Sequence, residues 1–553
     1  MNERITKKKF GSLALAALVG GSLLLPADLI ANAESGTIPQ ATTYVKQELR
    51  ATWIASVLNI DWPSKPGLSI SAQKEEFIKY LDEQKAMGMN AVVMQIKPTA
   101  DAFYPSEYGL WSKYLTGVQG KDPGYDPLAY MVEAAHERNM EFHAWFNPYR
   151  ITMPLGKTAE ISDIDNLPES HPARKHPDWV IPYGQQLYFD PGIPGVQRFV
   201  IDGILEVVKN YDIDAVHMDD YFYPYKIAGV PFPDDISYQK YGADRFTNVE
   251  DWRRDNVNNL VKNINEEIKA EKSYVKFGIS PFGVWRNKAV DPTGSDTAAG
   301  QTNYDDLYAD TRTWINNGYI DYIAPQLYWN IGLPVADYAK LLDWWTKEVA
   351  GKNVQLYIGQ GDYKINTESN GVQNWFNPEE MPNQLKLNRT YKEFDGSMHF
   401  SAKDLRKNPL GIADRLSDDI YKHPALVPAM PWIDDHAPKA PKVSKATQSG
   451  DGIQFEIQDH KQSDATYYAI YRFDGKKKGN IEDSTNLLAT VHKENTSQLF
   501  NDGSVEKGKT YTYVVTALDR THNESKQTKQ IDIKVKRSSR NSIIVKEALL
   551  SEQ

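Results

Sequence analysis

The sequence predicts an α/β protein in which a (β/α)8 TIM barrel is followed by a small all-β sandwich. Between residue 48 and about residue 400, a short apolar run followed by a longer amphipathic stretch recurs eight times. Eight parallel strands alternating with helices close a barrel. Beyond residue 442, alternating apolar residues and β-branched and aromatic runs predict the sandwich. An open doubly wound sheet is the alternative, but no glycine-rich phosphate loop follows the first strand.

The predicted strands and helices alternate along the barrel segment. The strands are residues 51–57, 91–96, 141–146, 215–218, 275–280, 322–326, 354–359 and 396–400. The clearest helices are residues 71–87, 127–139, 195–210 and 250–272. The first helix illustrates the pattern, because Ser71 precedes Glu75 and because Phe77, Tyr80 and Leu81 follow at helical spacing.

The chain divides into six predicted segments. Basic residues precede an uncharged apolar run and the small residues Ala31 and Ala33, which predicts a signal peptide over 1–33 and a secreted or cell-wall-associated protein. The apolar run is short for a membrane span, so the mature chain is expected to have no transmembrane segment. The other predicted segments are an N-terminal linker (34–47), the barrel (48–435), a linker (436–441), the sandwich (442–537) and a flexible tail (538–553).

Composition excludes several classes of function. A net charge of −10 argues against a nucleic-acid partner. The absence of cysteine excludes disulfides, thiolate metal sites and cysteine nucleophiles. Aromatic residues make up 11% of the chain, including 32 Tyr and 13 Trp, which is typical of a protein that contacts sugar rings. No cofactor or metal is expected, and the oligomeric state is not predicted.

The end of the fourth strand carries the strongest chemical pattern. Side chains alternate along a strand, so His217, Asp219 and Tyr221 are predicted to share one face, with Asp219 at the barrel mouth. Asp220 is predicted to lie in the loop turn or to face the helices. Glycoside cleavage uses two carboxyl groups, and Asp219 and Asp220 are the first candidates. Because consecutive strand residues diverge, the pair need not work together.

Further candidate residues lie at or beyond the ends of other strands. Asp101, after the second strand, and Asp362, after the seventh, are candidates for a further catalytic carboxyl. Aromatic rings at such positions stack on sugars, and amide and cationic groups bind hydroxyl or acidic groups. The predicted substrate-binding residues are Lys97, Trp145, Asn147, Arg150, His217, Tyr221, Tyr223, Trp285, Gln326, Tyr328 and Trp329.

Four stretches of the barrel segment resemble glycosyl-hydrolase-like family 10. They are HMDDYFYP at 217–224, LRATWIA at 49–55, AWFNPYR at 144–150 and APQLYW at 324–329. The resemblance covers about residues 48 to 400 and implies a TIM-barrel hydrolase of bacterial glycans, with cell-wall peptidoglycan as the expected substrate class. Asp190 stands where the family has asparagine. The run at 511–517 resembles a fibronectin type III module, for which we expect an accessory role.

The fourth-strand motif is also similar to that of chitinases. However, Tyr221 stands where chitinases carry the catalytic glutamate, so the standard chitinase mechanism is excluded and the general acid is expected to come from elsewhere. Two alternatives to a glycoside hydrolase of polysaccharide or peptidoglycan glycan strands stay open. One is a glycan-binding protein without turnover. The other is a metal-dependent carbohydrate deacetylase, with His217, Asp219, Asp220 and His143 as ligands.

Overall fold

The structure is a computed structural model that describes residues 44–154, 162–369, 372–449, 452–461, 463–477, 479–537 and 543–546. The predicted signal peptide (1–33) and most of the N-terminal linker (34–47) lie outside the described residues. The described end of that linker is tied to the barrel, because Gln47 bridges to Leu426.

Eight parallel strands form a closed barrel, and each strand pairs with its neighbours in chain order. This confirms the predicted TIM barrel. The strands are β1 (Leu49–Ile54), β2 (Ala91–Lys97), β3 (Glu141–Phe146), β4 (Ala215–Met218), β5 (Lys276–Ile279), β6 (Tyr322–Ile323), β7 (Gln355–Gln360) and β8 (Phe394–His399).

The predicted strand boundaries fail most clearly at β1 and β6. β1 ends at Ile54 rather than at Val57, because the backbone N–H groups of Ser56 and Val57 donate to the Gln95 side chain instead of to a neighbouring strand. β6 is only two residues long. Pro325 has no N–H to donate to a ladder, and pairing resumes at Gln326 as isolated bridges.

Each barrel strand is followed by a helix that packs on the outside of the barrel or at its rim. These helices are α1 (Ile70–Ala86), α2 (Pro127–His136), α3 (Pro194–Asn210), α4 (Val249–Glu271), α5 (Thr311–Asn317), α6 (Tyr338–Val349), α7 (Glu380–Asn388) and α8 (Ala402–Arg406). Short helices in the loops are Lys113–Thr116, Pro172–Lys175, Asp235–Tyr241, Asn303–Asp306 and Ile412–Arg415. In the described part of the chain, none of the helices has the length and apolar character to cross a membrane.

Two small ribbons extend the loops after β2 and β3. Asp101–Ala102 pairs with Leu110–Trp111, and Val180–Tyr183 pairs with Gln186–Phe189. Both loops therefore contain paired backbone and are not irregular throughout.

The C-terminal region is a β-sandwich with its own apolar core. One sheet contains β9 (Lys442–Ser449), β10 (Gly452–Gln458) and β13 (Ser497–Asp502). The other contains β11 (Tyr467–Asp474), β12 (Leu487–His492), β14 (Thr510–Leu518), β15 (Ile531–Arg537) and β16 (Ile543–Lys546). β16 lies in the predicted flexible tail, where it pairs with β15. The fibronectin type III assignment stays a prediction.

The sandwich docks on the barrel at the end where the strands begin. Glu141, the first residue of β3, accepts hydrogen bonds from Lys276 and from His522 of the sandwich, the latter at 2.6 Å. Arg520 donates to Asp214 at 3.4 Å, just before β4. Since Glu141 and Lys276 are almost fully buried, this docking closes the bottom of the barrel, opposite the strand ends that carry the predicted catalytic residues.

Candidate active site

A pocket of about 540 Å3 opens at the carboxyl ends of the barrel strands. Its position agrees with the general location of active sites in TIM barrels. The described residues that line it are Trp53, Ala55, Val57, Leu58, Ile60, Gln95, Trp145, Arg150, Met153, Asp219, Asp220, Tyr221, Ser280, Gln326, Tyr328 and Phe400. Most of the wall is aromatic or apolar, and the polar groups converge on Asp219.

Asp219 is held by N–H donors on both of its carboxylate oxygens. Oδ1 accepts from the backbone N–H of Asp220 at 2.9 Å and from Gln326 Nε2 at 3.2 Å. Oδ2 accepts from Asn147 Nδ2 at 3.4 Å. Gln326 also donates to the carbonyl of Ser280, which fixes the orientation of its amide. Asn147 and Gln326, which were predicted to bind substrate, thus lie beside the Asp219 carboxylate, and Asp219 faces the pocket.

The Asn147 amide has one possible orientation because a chain of hydrogen bonds determines it. The backbone N–H groups of Ser56 and Val57 donate to Gln95 Oε1 at 3.0 and 2.9 Å. Gln95 Nε2 must then point at Asn147 Oδ1, 2.6 Å away. Asn147 is left to donate to Asp219. The backbone N–H groups in the loop after β1 therefore orient the Asn147 amide so that it presents an N–H donor to Asp219.

Asp220 also lines the pocket, from the loop just beyond the strand, so of the two predicted alternatives the loop position is confirmed and the orientation toward the helices is wrong. The strand ends at Met218, so side-chain alternation does not continue through residues 219 and 220. The Asp220 carboxyl accepts a hydrogen bond from the Tyr225 hydroxyl, and the Asp220 backbone N–H donates to Asp219 Oδ1. Burial and the negative charge of Asp219 raise the pKa of Asp220 well above its usual value. Two adjacent carboxyls with different environments are suited to different roles.

His217 lies beneath the pocket, in the barrel interior, and its ring nitrogens are occupied. The Trp53 indole N–H donates to its Nε2 at 3.2 Å, so the proton of the neutral ring is on Nδ1 and donates to Tyr322 at 3.0 Å. Tyr322 donates to His143 at 3.2 Å, and His143 donates to Glu141 at 2.9 Å. Burial lowers the pKa of His217 well below its usual value. His217 was predicted to contact a sugar, but its ring is hydrogen-bonded to Trp53 and Tyr322 instead.

Gly278 makes this series of hydrogen bonds in the barrel interior possible. The Tyr322 ring crosses the barrel directly over Gly278, so an added Cβ would overlap the ring. In that position the Tyr322 hydroxyl reaches both His217 and His143. A glycine within a central strand commonly marks such a close approach.

Four further predicted binding residues line the pocket together with the carboxyl pair. Arg150 donates twice to the carbonyl of Pro98 and lies 5.2 Å from the centre of the Tyr221 ring. Tyr328 and Trp145 line the pocket with them. The Trp145 indole N–H is buried without a hydrogen-bond partner among the described residues. It is thus a donor that a bound ligand can satisfy.

The structure places Asp101 and Asp362 outside the pocket. Asp362 is fully buried, and both of its oxygens are 3.1 Å from His399 Nδ1. Asp101 is 1% exposed beneath the loop after β2, and burial raises its pKa. The prediction that either supplies the general acid has no support in this geometry, because strand-end position does not determine which way a loop residue turns.

Four predicted binding residues also lie away from the described pocket lining. Lys97 donates to the carbonyl of Tyr108, and burial lowers its pKa to about 8. Tyr223 is fully buried and accepts from Asn256 of α4. Trp285 stacks on Trp344 at 5.8 Å. Trp329 packs edge-on against Phe282 at 5.4 Å. The structure thus shows these four side chains in contact with other parts of the protein, with Trp329 partly exposed and the other three buried.

Several residues of the pocket are not among those predicted from the sequence. Gln95 carried a usable signal, since it is the only uncharged polar residue in the apolar strand AVVMQIK. Trp53, Ser280 and Phe400 lie at other strand ends, where the same positional rule applied. Tyr225, one residue beyond the recognised motif, had no signal of its own.

The residues around the pocket do not form the ligand set that a deacetylase metal needs. Both ring nitrogens of His217 are committed to other groups. Among the described residues, one cluster has metal-ligating side chains close enough together, namely Asp434, Asp435 and His436. It belongs to the exposed linker region, remote from Asp219.

Comparisons with known proteins show which family the chain resembles. The family described as Glycosyl hydrolase-like 10 matches residues 48–377. "Glycosyl hydrolase YngK" of Bacillus subtilis (strain 168) is 60% identical over 520 residues, covering 93% of this chain and 97% of that protein. "Glycosyl hydrolase DigH" of Escherichia coli (strain K12) is 38% identical over 421 residues, covering 73% of this chain and 95% of that protein.

A solved structure shows only a distant similarity. The PgaB (BpsB) glycoside hydrolase domain from Bordetella bronchiseptica is 11% identical, with a TM-score of 0.43, and covers 68% of this chain and 99% of that chain. The matched family segment contains the barrel strands β1 to β7 and both pocket carboxyls. This chain belongs to the glycosyl hydrolase-like 10 family.

Proposed function

We propose that the protein is a secreted glycoside hydrolase that cleaves O-glycosidic bonds in bacterial cell-wall polysaccharide, with peptidoglycan glycan strands as its substrate. The observation that carries this proposal is the Asp219–Asp220 pair in an aromatic-walled pocket. Membership of a glycosyl hydrolase-like family supports a glycosidase-type activity. Secretion rests on the residue pattern of 1–33, which lies outside the described residues.

In this proposal the two carboxyls have different catalytic roles. Asp220, whose pKa is raised by burial and by the charge of Asp219, carries the proton that the leaving oxygen needs. Asp219 is held by Gln326 and Asn147 and supplies the negative charge that stabilises the developing oxocarbenium ion. Trp145 and Tyr328 provide faces on which sugar rings can stack.

The test is release of reducing ends from purified peptidoglycan glycan strands and from a panel of other polysaccharides. The full-length mature protein should release them, and Asp219→Asn and Asp220→Asn should each lose most of the activity. Asp101→Asn is the matched control, because it changes a buried aspartate outside the pocket. Absence of release from every glycan would refute the proposal.

The same experiment distinguishes the glycan-binding alternative. A binding protein without turnover would retain glycan strands on a column, with equal affinity before and after Asp219→Asn, and would release no reducing ends. The described pocket favours catalysis over binding alone. Two adjacent buried carboxyls destabilise the fold through their desolvation, and the raised pKa of one of them provides a proton donor, which turnover uses and binding alone does not.

A further inference from the structure

The carboxyl pair has an unusual arrangement for a glycosidase. Asp219 and Asp220 are consecutive residues just beyond β4, and the backbone N–H of Asp220 donates to Asp219 Oδ1 at 2.9 Å, so both carboxyls enter the pocket from the same turn of the chain. Retaining and inverting enzymes with two protein carboxyls place them on opposite sides of the cleaved bond, about 5–5.5 Å and about 6.5–9.5 Å apart. Two carboxyls that enter from one turn do not reach both faces of a sugar ring, so one of the two usual roles must fall to another group.

No other described residue lining the pocket is suited to be the nucleophile. Asp219 and Asp220 are its carboxyl residues. The Ser280 hydroxyl lies 2.9 Å from His217 Nε2, but that nitrogen already accepts from Trp53. Burial also lowers the pKa of His217, which makes it a weak base. Ser280 is therefore not activated in the manner of a catalytic serine.

We propose that the nucleophile is the carbonyl oxygen of the substrate's own 2-acetamido group. The enzyme then acts on glycans in which a 2-acetamido sugar precedes the cleaved bond, through a cyclic oxazolinium intermediate. This inference rests on the proposed glycoside hydrolase function, which it deepens by naming the sugar substituent that the site requires.

The pocket offers groups for each part of an acetamido substituent. Asp219 is positioned by two amides and accepts the acetamido N–H. The Trp145 indole N–H is buried and without a partner among the described residues. The Tyr328 hydroxyl lines the same pocket, and burial raises its pKa well above its usual value, so it stays a hydrogen-bond donor. These two donors can orient the carbonyl, which accepts up to two hydrogen bonds.

The reaction balances without a further reagent. The acetamido oxygen forms a bond to C1 while the bond between C1 and the glycosidic oxygen breaks, and Asp220 gives its proton to the leaving oxygen. The Asp219 carboxylate stabilises the positive charge that develops on the acetamido nitrogen. Water then gives a proton to Asp220 and attacks C1. The oxazolinium ring opens, which regenerates the acetamido group, and the product keeps the anomeric configuration of the substrate.

The test uses one batch of glycan strands whose N-acetyl groups are removed and replaced. Parts of the batch are re-acylated with acetyl, monofluoroacetyl or trifluoroacetyl groups, and one part stays as the free amine. Fluorine weakens the carbonyl oxygen as a nucleophile with little change in shape. We expect kcat to fall with each step of fluorination, and the free amine to be cleaved at least about a thousandfold more slowly than the re-acetylated strands.

The outcomes separate the inference from the proposed function. Equal kcat across the series would overturn the inference and leave the glycoside hydrolase in place. Absence of cleavage of re-acetylated strands would overturn the proposed function and the inference with it. The anomeric configuration of the first product, followed by NMR, should be retained, and inversion would also overturn the inference.

A pair of variants checks the positioning role of Tyr328. Tyr328→Phe removes the hydroxyl and should lower kcat by about tenfold to a hundredfold, with KM nearly unchanged, since the donor acts on the developing intermediate. Tyr363→Phe is the matched control, because its ring packs on Tyr328 at 5.8 Å outside the pocket lining. Equal kcat for the two variants would remove Tyr328 from the proposal.

Discussion

Asp219→Asn is the most informative substitution in this protein. The change removes the negative charge that catalysis uses, and we expect kcat to fall by roughly a thousandfold, which corresponds to about 4 kcal/mol of transition-state stabilisation. Sequence reasoning alone predicts that the amide would otherwise be tolerated, because it keeps the shape of the side chain. The structure alters that second expectation.

Both oxygens of Asp219 face N–H donors whose orientation is determined elsewhere. Gln326 Nε2 bonds Oδ1, and Asn147 Nδ2, locked by Gln95, bonds Oδ2. An asparagine at 219 must therefore turn its NH2 group toward one of these donors. A buried donor left without an acceptor costs about 1–3 kcal/mol. We expect Asp219→Asn to be folded but destabilised by about this amount.

The assay combines thermal unfolding with initial rates of reducing-end release, both measured on the full-length mature protein. Asp101→Asn serves as control and should keep nearly wild-type turnover. A folded Asp219→Asn protein with near wild-type turnover would refute the catalytic assignment. An unchanged melting temperature would refute the argument that backbone geometry dictates a carboxylate at this position.

Three further predictions concern pH, the barrel interior and the sandwich. The raised pKa of Asp220 keeps its carboxyl protonated, so turnover should fall as pH rises through that pKa. If the residual turnover of Asp220→Asn fell with rising pH in the same way, Asp220 would not be the group that titrates. Gly278→Ala forces the Tyr322 ring aside and should lower the melting temperature by several degrees, whereas Gly503→Ala, whose added Cβ meets nothing, should not. Removing residues 436–553 takes away His522 and uncovers the buried Lys276–Glu141 ion pair at the barrel bottom. The truncated protein should have a lower melting temperature, and below that temperature its turnover of soluble glycan should be unchanged. A truncated protein as stable as the full chain would show that the docking contributes nothing.

The sequence by itself determined the barrel and the position of the chemistry. Apolar runs spaced by amphipathic segments predicted all eight strands, because the burial of parallel strands and the amphipathic faces of helices both depend on local residue order. The motif at the end of β4 located Asp219 because the carboxyl ends of all strands in this fold lie on one face of the barrel.

Tertiary structure alone decided how the side chains at that face are used. Asp220 joins Asp219 because the strand stops at Met218, and no periodicity in the sequence encodes that direction. Asn147 is a donor to Asp219 only because the turn after β1 supplies the backbone N–H groups that orient Gln95. Such couplings join residues far apart in the chain, and they depend on closure of the barrel, which brings the strand ends together.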